Sequence, residues 1–126
     1  MLAVAILRHE KGDDVNLREA ASGQSCIKCG ATNGTTVLCH YSGPFQHRFG
    51  KGRAIKGNDA AGADLCDECH KYFDEYKSVT ASKNDKEAYQ LQRVERSEHF
   101  LALCMLTVIR RIQQGALIIR GESNER

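Results

Sequence analysis

The chain lacks tryptophan, has one proline, and carries only four Phe and four Tyr. With so few rings, Tyr41, Phe45, Phe49, Tyr72 and Phe73 read as core residues rather than as a platform for stacking nucleobases. No run reaches the eighteen or so apolar residues that a membrane span requires. Met1 to Leu7 (MLAVAIL) is apolar, but no positive residue precedes it and Arg8 ends it early, which argues against a secretory signal. There is no internal repeat and no low-complexity tract. A large excess of one charge is also missing: 18 Lys and Arg against 16 acids leave a net charge of +2, which by itself identifies no partner. The imbalance is local. Residues 47 to 56 hold His47, Arg48, Lys51, Arg53 and Lys56 and no acid. That stretch reads either as a solvated loop or as a surface for anionic groups.

Cysteine is what the chain does have. Four of its six cysteines form two Cys-x-x-Cys pairs, Cys26/Cys29 and Cys66/Cys69. Such pairs suit metal ligation better than a disulfide framework, so a reducing, cytoplasmic setting is expected. Zinc takes four tetrahedral ligands, and two knuckles supply four thiolates with one long loop to close. Gly30, just after the second Cys, permits the tight knuckle turn. The alternatives are disulfides or unpaired core thiols. The spacer, residues 30 to 65, is longer than in a compact zinc ribbon and must contain structure of its own. A single domain of 126 residues with a modest core gains from such a staple. Of the other two cysteines, Cys104 reads as a small buried residue among Leu101, Leu103 and Leu106. Cys39 should face the core if His40, its neighbour on a strand, faces a site.

The elements follow from periodicity and breakers. Glu10 to Asn16 reads as a loop, and Leu17 to Ala21 as one or two helical turns ended by Gly23. Thr35 to Tyr41 is the most convincing strand, stopped by Ser42-Gly43-Pro44. Phe45 to Gly62 is a long loop, a length that goes with function or disorder. Asp64 is placed to cap a helix from Leu65 or Cys66 to Lys77, with His70, Phe73, Asp74 and Lys77 on one face. A long amphipathic helix is expected from Lys86 to Gln114, burying Leu91, Val94, Leu101, Met105, Val108 and Ile112. Ala116 to Ile119 is a candidate terminal strand, and residues 122 to 126 should fray. The organisation expected is an N-terminal arm (1–24), a zinc-bound core (25–80) and a C-terminal helix with its tail (81–126).

A strand ending in His40, a loop, and a helix bearing His70 just after a knuckle cysteine resembles the HNH, or ββα-metal, nuclease motif. Leu17 to Ala21, Thr35 to Tyr41 and Asp64 to Asp74 are most similar to the small prophage-encoded YbcO-like nuclease family, over roughly residues 17 to 77. The resemblance implies an α+β fold: a small zinc-stapled ββα core with a long C-terminal helix. It implies a DNA endonuclease leaving 5′-phosphate and 3′-hydroxyl ends, with His40 as general base and His70 as ligand to a divalent ion such as Mg²⁺, Mn²⁺ or Ni²⁺. The middle position, which braces the loop, falls on Asn58 or Asp59. Arg48, Lys51, Arg53 and Lys56 would neutralise backbone phosphates.

Two departures from that pattern bear on activity. Cys39 stands where many such proteins place an acid or His, and thiolate is a poor Mg²⁺ ligand. Asn58 also lies farther from the last His than is common. An oxygen ligand from Asp59, a ligand from His47, or a degenerate site are the alternatives, and His70 could instead replace a zinc cysteine. The competing functional reading is a non-catalytic zinc module that binds nucleic acid or a protein. The stripe on the C-terminal helix raises a homodimer as a further expectation.

Overall fold

Val37–His40 (β1) and Gly62–Leu65 (β2) form a two-stranded antiparallel sheet in which Val37 faces Leu65 and His40 faces Gly62. The computed structural model describes residues 15–52 and 55–117. Expectations for Met1 to Leu7, Arg53, Ile118-Ile119 and residues 122 to 126 lie outside them. The strand expected at Thr35 to Tyr41 is narrower than its β-branched run, although Tyr41 still donates its N–H to Ala61 O at 2.9 Å. β2 was hidden in the sequence because all four of its residues are buried and show no alternation. Gly62 is required there: a Cβ would come within 2.9 Å of the Leu38 side chain.

Helix α1 (Val15–Ala21) begins inside the stretch expected to be loop and packs on β1, burying Leu17 and Ala21. The first knuckle follows. Cys26 N–H bonds Ala31 O at 2.9 Å, Gly30 N–H bonds Cys26 O at 2.8 Å, and Gly30 takes φ +79 as the tight turn demands. Ile27 N–H reaches Asp64 O at 2.8 Å and ties the knuckle to β2. The long loop is structured as well, with a 3₁₀ turn at Gln46–Phe49 and a bridge between Gly52 and Ile55.

Helix α2 (Asp67–Asp74) is capped by Cys66, with Asp67 and Glu68 in the first turn where acids favour the dipole. The cap expected at Asp64 is therefore corrected. Asp64 sits buried on β2, and its carboxylate takes Arg110 at 3.0 Å and Arg111. The helix also ends three residues before Lys77, and Tyr76 turns the chain with φ 53.

Helix α3 (Lys86–Gln113) matches its expected span closely, with the Asp85 carboxylate accepting Ala88 N–H at 3.3 Å and Gly115 in the left-handed region just beyond the end. Its inner face is not the one expected. Arg96, Phe100, Leu103, Cys104, Thr107 and Arg111 are buried, whereas Leu91, Val94, Met105 and Ile112 are exposed and Leu101 and Val108 half-buried. Packing and satisfied charge explain the inversion. Phe100 stacks on Phe73 at 4.5 Å and meets Tyr41 edge-on at 5.6 Å. Arg96 donates to Phe73 O at 2.7 Å and Ser42 O at 2.8 Å while lying 4.0 Å over the Tyr76 ring. Buried arginines with such partners can line a core that polarity alone would assign to the outside. Ala116 and Leu117 hydrogen-bond back to Arg111 O and form no strand. Among the described residues no helix is long and apolar enough to cross a membrane.

Candidate functional site

Two groups of potential metal ligands flank the sheet. The first is the set of cysteines from the two knuckles. All six cysteines of the chain are free, which removes the disulfide alternative. The sulfurs of Cys26, Cys29, Cys66 and Cys69 lie within 4.8 Å of one another, with Cys29 and Cys66 at 3.7 Å. Tetrahedral bonds of about 2.3 Å would set sulfurs about 3.8 Å apart. The four cysteines therefore fit a structural metal such as zinc, and His70 is not needed to complete the set. Burial works against the Cys26 thiolate, yet N–H bonds from the backbone of Cys66, Cys29 and Lys28 outweigh it and lower its pKa to about 6. Burial and neighbouring thiols push Cys69 the other way.

The second group is Cys39, His70 and Asp74, whose ligand atoms also lie within 4.8 Å of one another. β1 brings Cys39 and α2 brings the other two. His70 and Asp74 sit one turn apart and bond at 2.7 Å, and Cys39 Sγ lies 3.9 Å from Asp74 Oδ1. Cys39 is buried, as expected, but it lines the same cleft as His40, and burial together with the Asp74 charge holds its thiol protonated. One sulfur, one nitrogen and one oxygen donor suit a borderline or soft ion of the zinc, cobalt or nickel class far better than Mg²⁺. Three protein ligands would leave a coordination position open.

His40 occupies the end of β1 beside this group. Its Nε2 lies 2.7 Å from Asp59 Oδ1, and Arg18 Nε donates to Asp59 Oδ2 at 2.8 Å. The Asp59 side chain has no exposed surface. A hydrogen on Nε2 donated to Asp59 leaves Nδ1 with the lone pair. Asp59 was expected at the middle, loop-bracing position, with a role as oxygen ligand beside His70 as one alternative. The structure places it on His40 instead, with each carboxylate oxygen already taken. Asn58 braces the loop, its side-chain oxygen accepting Ala60 N–H at 2.8 Å and its own N–H reaching Phe49 O at 2.8 Å.

His40, Cys39, His70 and Asp74 share a cleft of about 530 Å³ with Arg18, Lys51 and Lys56. Of the basic loop, Lys51 and Lys56 reach this cleft. Arg48 instead lies over the Phe45 ring at 5.6 Å, and exposed His47 belongs to neither metal-capable group among the described residues. Sequence reasoning missed one participant and left another's role incomplete. Arg18 gave no signal, since it meets Asp59 across 41 positions. Asp74 reads from its spacing as a solvated helix position or a partner that orients the His70 imidazole, and only its distance to Cys39 makes it a candidate third ligand. Comparison with protein-family models, with curated proteins and with solved structures finds no match to this chain.

Proposed function

We propose that the protein is a metal-dependent HNH-type endonuclease that hydrolyses DNA phosphodiester bonds in the cleft between β1 and α2. The observation that carries this reading is the His40–Asp59 pair, set on the same strand end as a Cys39/His70/Asp74 ligand group. Asp59 fixes the imidazole and its tautomer, so that Nδ1 can take a proton from an attacking water. Arg18 neutralises the buried carboxylate from behind. Lys51 and Lys56 meet backbone phosphates and give salt-dependent binding with little sequence information. Cys39, His70 and Asp74 would hold the divalent ion, and such an ion supplies charge to offset that developing on the phosphate and the leaving oxygen. The order strand, strand, helix, with one cysteine knuckle before β1 and the other at the start of α2, agrees with the ββα-metal resemblance. The Cys26/Cys29/Cys66/Cys69 zinc staples that frame without entering the chemistry.

One observation favours a non-catalytic DNA- or protein-binding module: the Cys39 thiol is buried and held protonated, so it must ionise before it can ligate. Supercoiled plasmid incubated with Mg²⁺, Mn²⁺, Co²⁺, Ni²⁺ or Zn²⁺ separates the readings. Nicking by the wild type that is lost in His40→Ala is the expected result. No cleavage with any ion, together with salt-sensitive DNA binding, overturns the enzyme in favour of the module.

A further inference from the structure

A hollow of about 550 Å³ lies where α2 gives way to α3, lined by Tyr76, Val79, Ala81, Lys83, Tyr89 and Arg93. The lining offers two aromatic rings, two small apolar side chains and two cations, and no carboxylate. That composition suits a flat aromatic group joined to an anion. We propose that this hollow binds an unpaired nucleotide of single-stranded DNA, with its base against Tyr76 and Tyr89 and its phosphate on Lys83 and Arg93.

Tyr76 fills a position that usually goes to glycine. It directly follows Glu75, the C-cap of α2, and is the one non-glycine residue with positive φ among the described residues. Backbone held in that region collects at functional sites. The Arg96 guanidinium lies 4.0 Å from the Tyr76 ring centroid and covers one face, yet the residue stays 40% exposed. A cation behind a ring leaves the outer face free to stack. Tyr89 is backed in the same way by Arg93, at 5.9 Å. The turn between the rings is shaped in advance. Gln92 Oε1 accepts Thr80 N–H at 2.7 Å and Ala81 N–H at 2.8 Å, which fastens the turn to α3. Little order then has to be imposed on binding. Lys83 and Arg93 form no ion pair among the described residues, whereas Lys77 nearby is held by Glu75 at 3.2 Å. In a duplex the base faces are closed against one another, so these rings would meet only an unpaired base. The hollow meets the chain two residues beyond Asp74, which lines the cleft between β1 and α2. The choice of DNA among nucleotide polymers rests on the nuclease reading, but binding here needs neither His40 nor the Cys39 group.

Fluorescence anisotropy of the full zinc-loaded chain, with no other divalent ion added, tests this with a labelled single strand of about 12 nucleotides and a duplex of equal length. Tyr89→Leu should weaken strand binding about 10-fold and leave duplex binding unchanged. Lys83→Gln, at an exposed position that folding does not use, should lower the salt slope of strand binding by about 0.7. Strand binding unchanged in both variants overturns the proposal, and so does equal loss of strand and duplex binding in Tyr89→Leu. A 5-iododeoxyuridine in the strand, activated by light, should couple to Tyr76 or Tyr89. Coupling confined to residues of the β1–α2 cleft overturns the site. Displacement of the strand by an equal concentration of thymidine monophosphate would mean a site for a free nucleotide, and also overturns it. The two readings fail separately. Nicking that depends on His40, without coupling at the tyrosines, removes this site and keeps the nuclease. Coupling at the tyrosines without nicking by any ion keeps this site and removes the nuclease.

Discussion

Asp59 holds His40 at 2.7 Å while its other oxygen is held by Arg18 at 2.8 Å, so one buried carboxylate orients the imidazole and is itself oriented. Asp59→Asn preserves the shape but presents an amide that no longer enforces the Nε2–H tautomer. Plasmid nicking should fall by about 10²- to 10⁴-fold, and His40→Ala should fall at least as far. Arg18→Ala removes only the support behind the pair and should cost about 10-fold. Rates for the three variants, alongside circular dichroism, check the ranking. An Arg18 variant slower than the His40 variant would contradict it.

Cys39 is the residue that should set the choice of ion. Its sulfur lies within 4.8 Å of the candidate ligand atoms of both His70 and Asp74, and thiolate favours cobalt, nickel and zinc over magnesium. Cobalt added to the zinc-loaded protein should give sulfur-to-cobalt charge-transfer absorption that Cys39→Ser abolishes. Cys39→Asp, by supplying a hard oxygen, should move nicking toward Mg²⁺ and Mn²⁺. A wild type most active in Mg²⁺ and indifferent to Cys39→Ser would show that the sulfur takes no part.

How far the sequence led can be judged from particular residues. The cysteine group was legible because Cys-x-x-Cys spacing is local and its chemistry narrow. The span of α3 was legible because Asp85 caps it and Gly115 ends it. Its orientation was not. The helix is apolar on two sides, and the side facing the sheet also holds Arg96 and Arg111, which a polarity argument sends outward. β2 was lost for the related reason that a fully buried strand of four residues has no alternation. The Asp59 contacts depend on the sheet register and on α1 returning to β1, which no local pattern encodes. For that reason His40 stood out in the sequence as a candidate base, while its contact with Asp59, expected at the loop-bracing position or as a metal ligand, did not.

The four-cysteine group should have its own pH signature. Cys26 has a folded pKa near 6 against an ordinary 9.0. A group whose pKa is depressed by folding contributes stability in full above its unfolded value and loses it as pH falls through the folded one. The contribution is therefore complete above pH 9, declines below it and is gone beneath pH 6. A bound zinc competes with protons for all four thiolates, so acidification should release it. A chromophoric chelator read alongside circular dichroism should show release and unfolding together. Zinc held unchanged on acidification, or loss of zinc without loss of structure, would contradict this account.

Asp64 joins the knuckles to α3, and its removal should be the most damaging polar substitution outside the cysteines. The buried carboxylate receives Arg110 and Arg111, while its backbone carbonyl receives Ile27 from the first knuckle. Arg111 is 2% exposed, and its Nε and Nη1 have no hydrogen-bond partner among the described residues. Asp64→Ala would leave that guanidinium buried without its counter-charge, a loss of about 3–5 kcal/mol. Arg111→Met should cost less, because Asp64 keeps Arg110 and the methionine fills the vacated space. Adding Arg111→Met to Asp64→Ala should then recover part of the lost stability, since it removes the stranded charge. Urea unfolding of the four zinc-loaded proteins in a double-mutant cycle measures the coupling. Additive losses would mean that Arg111 draws nothing from Asp64, and that the joint between knuckle and helix rests on packing alone.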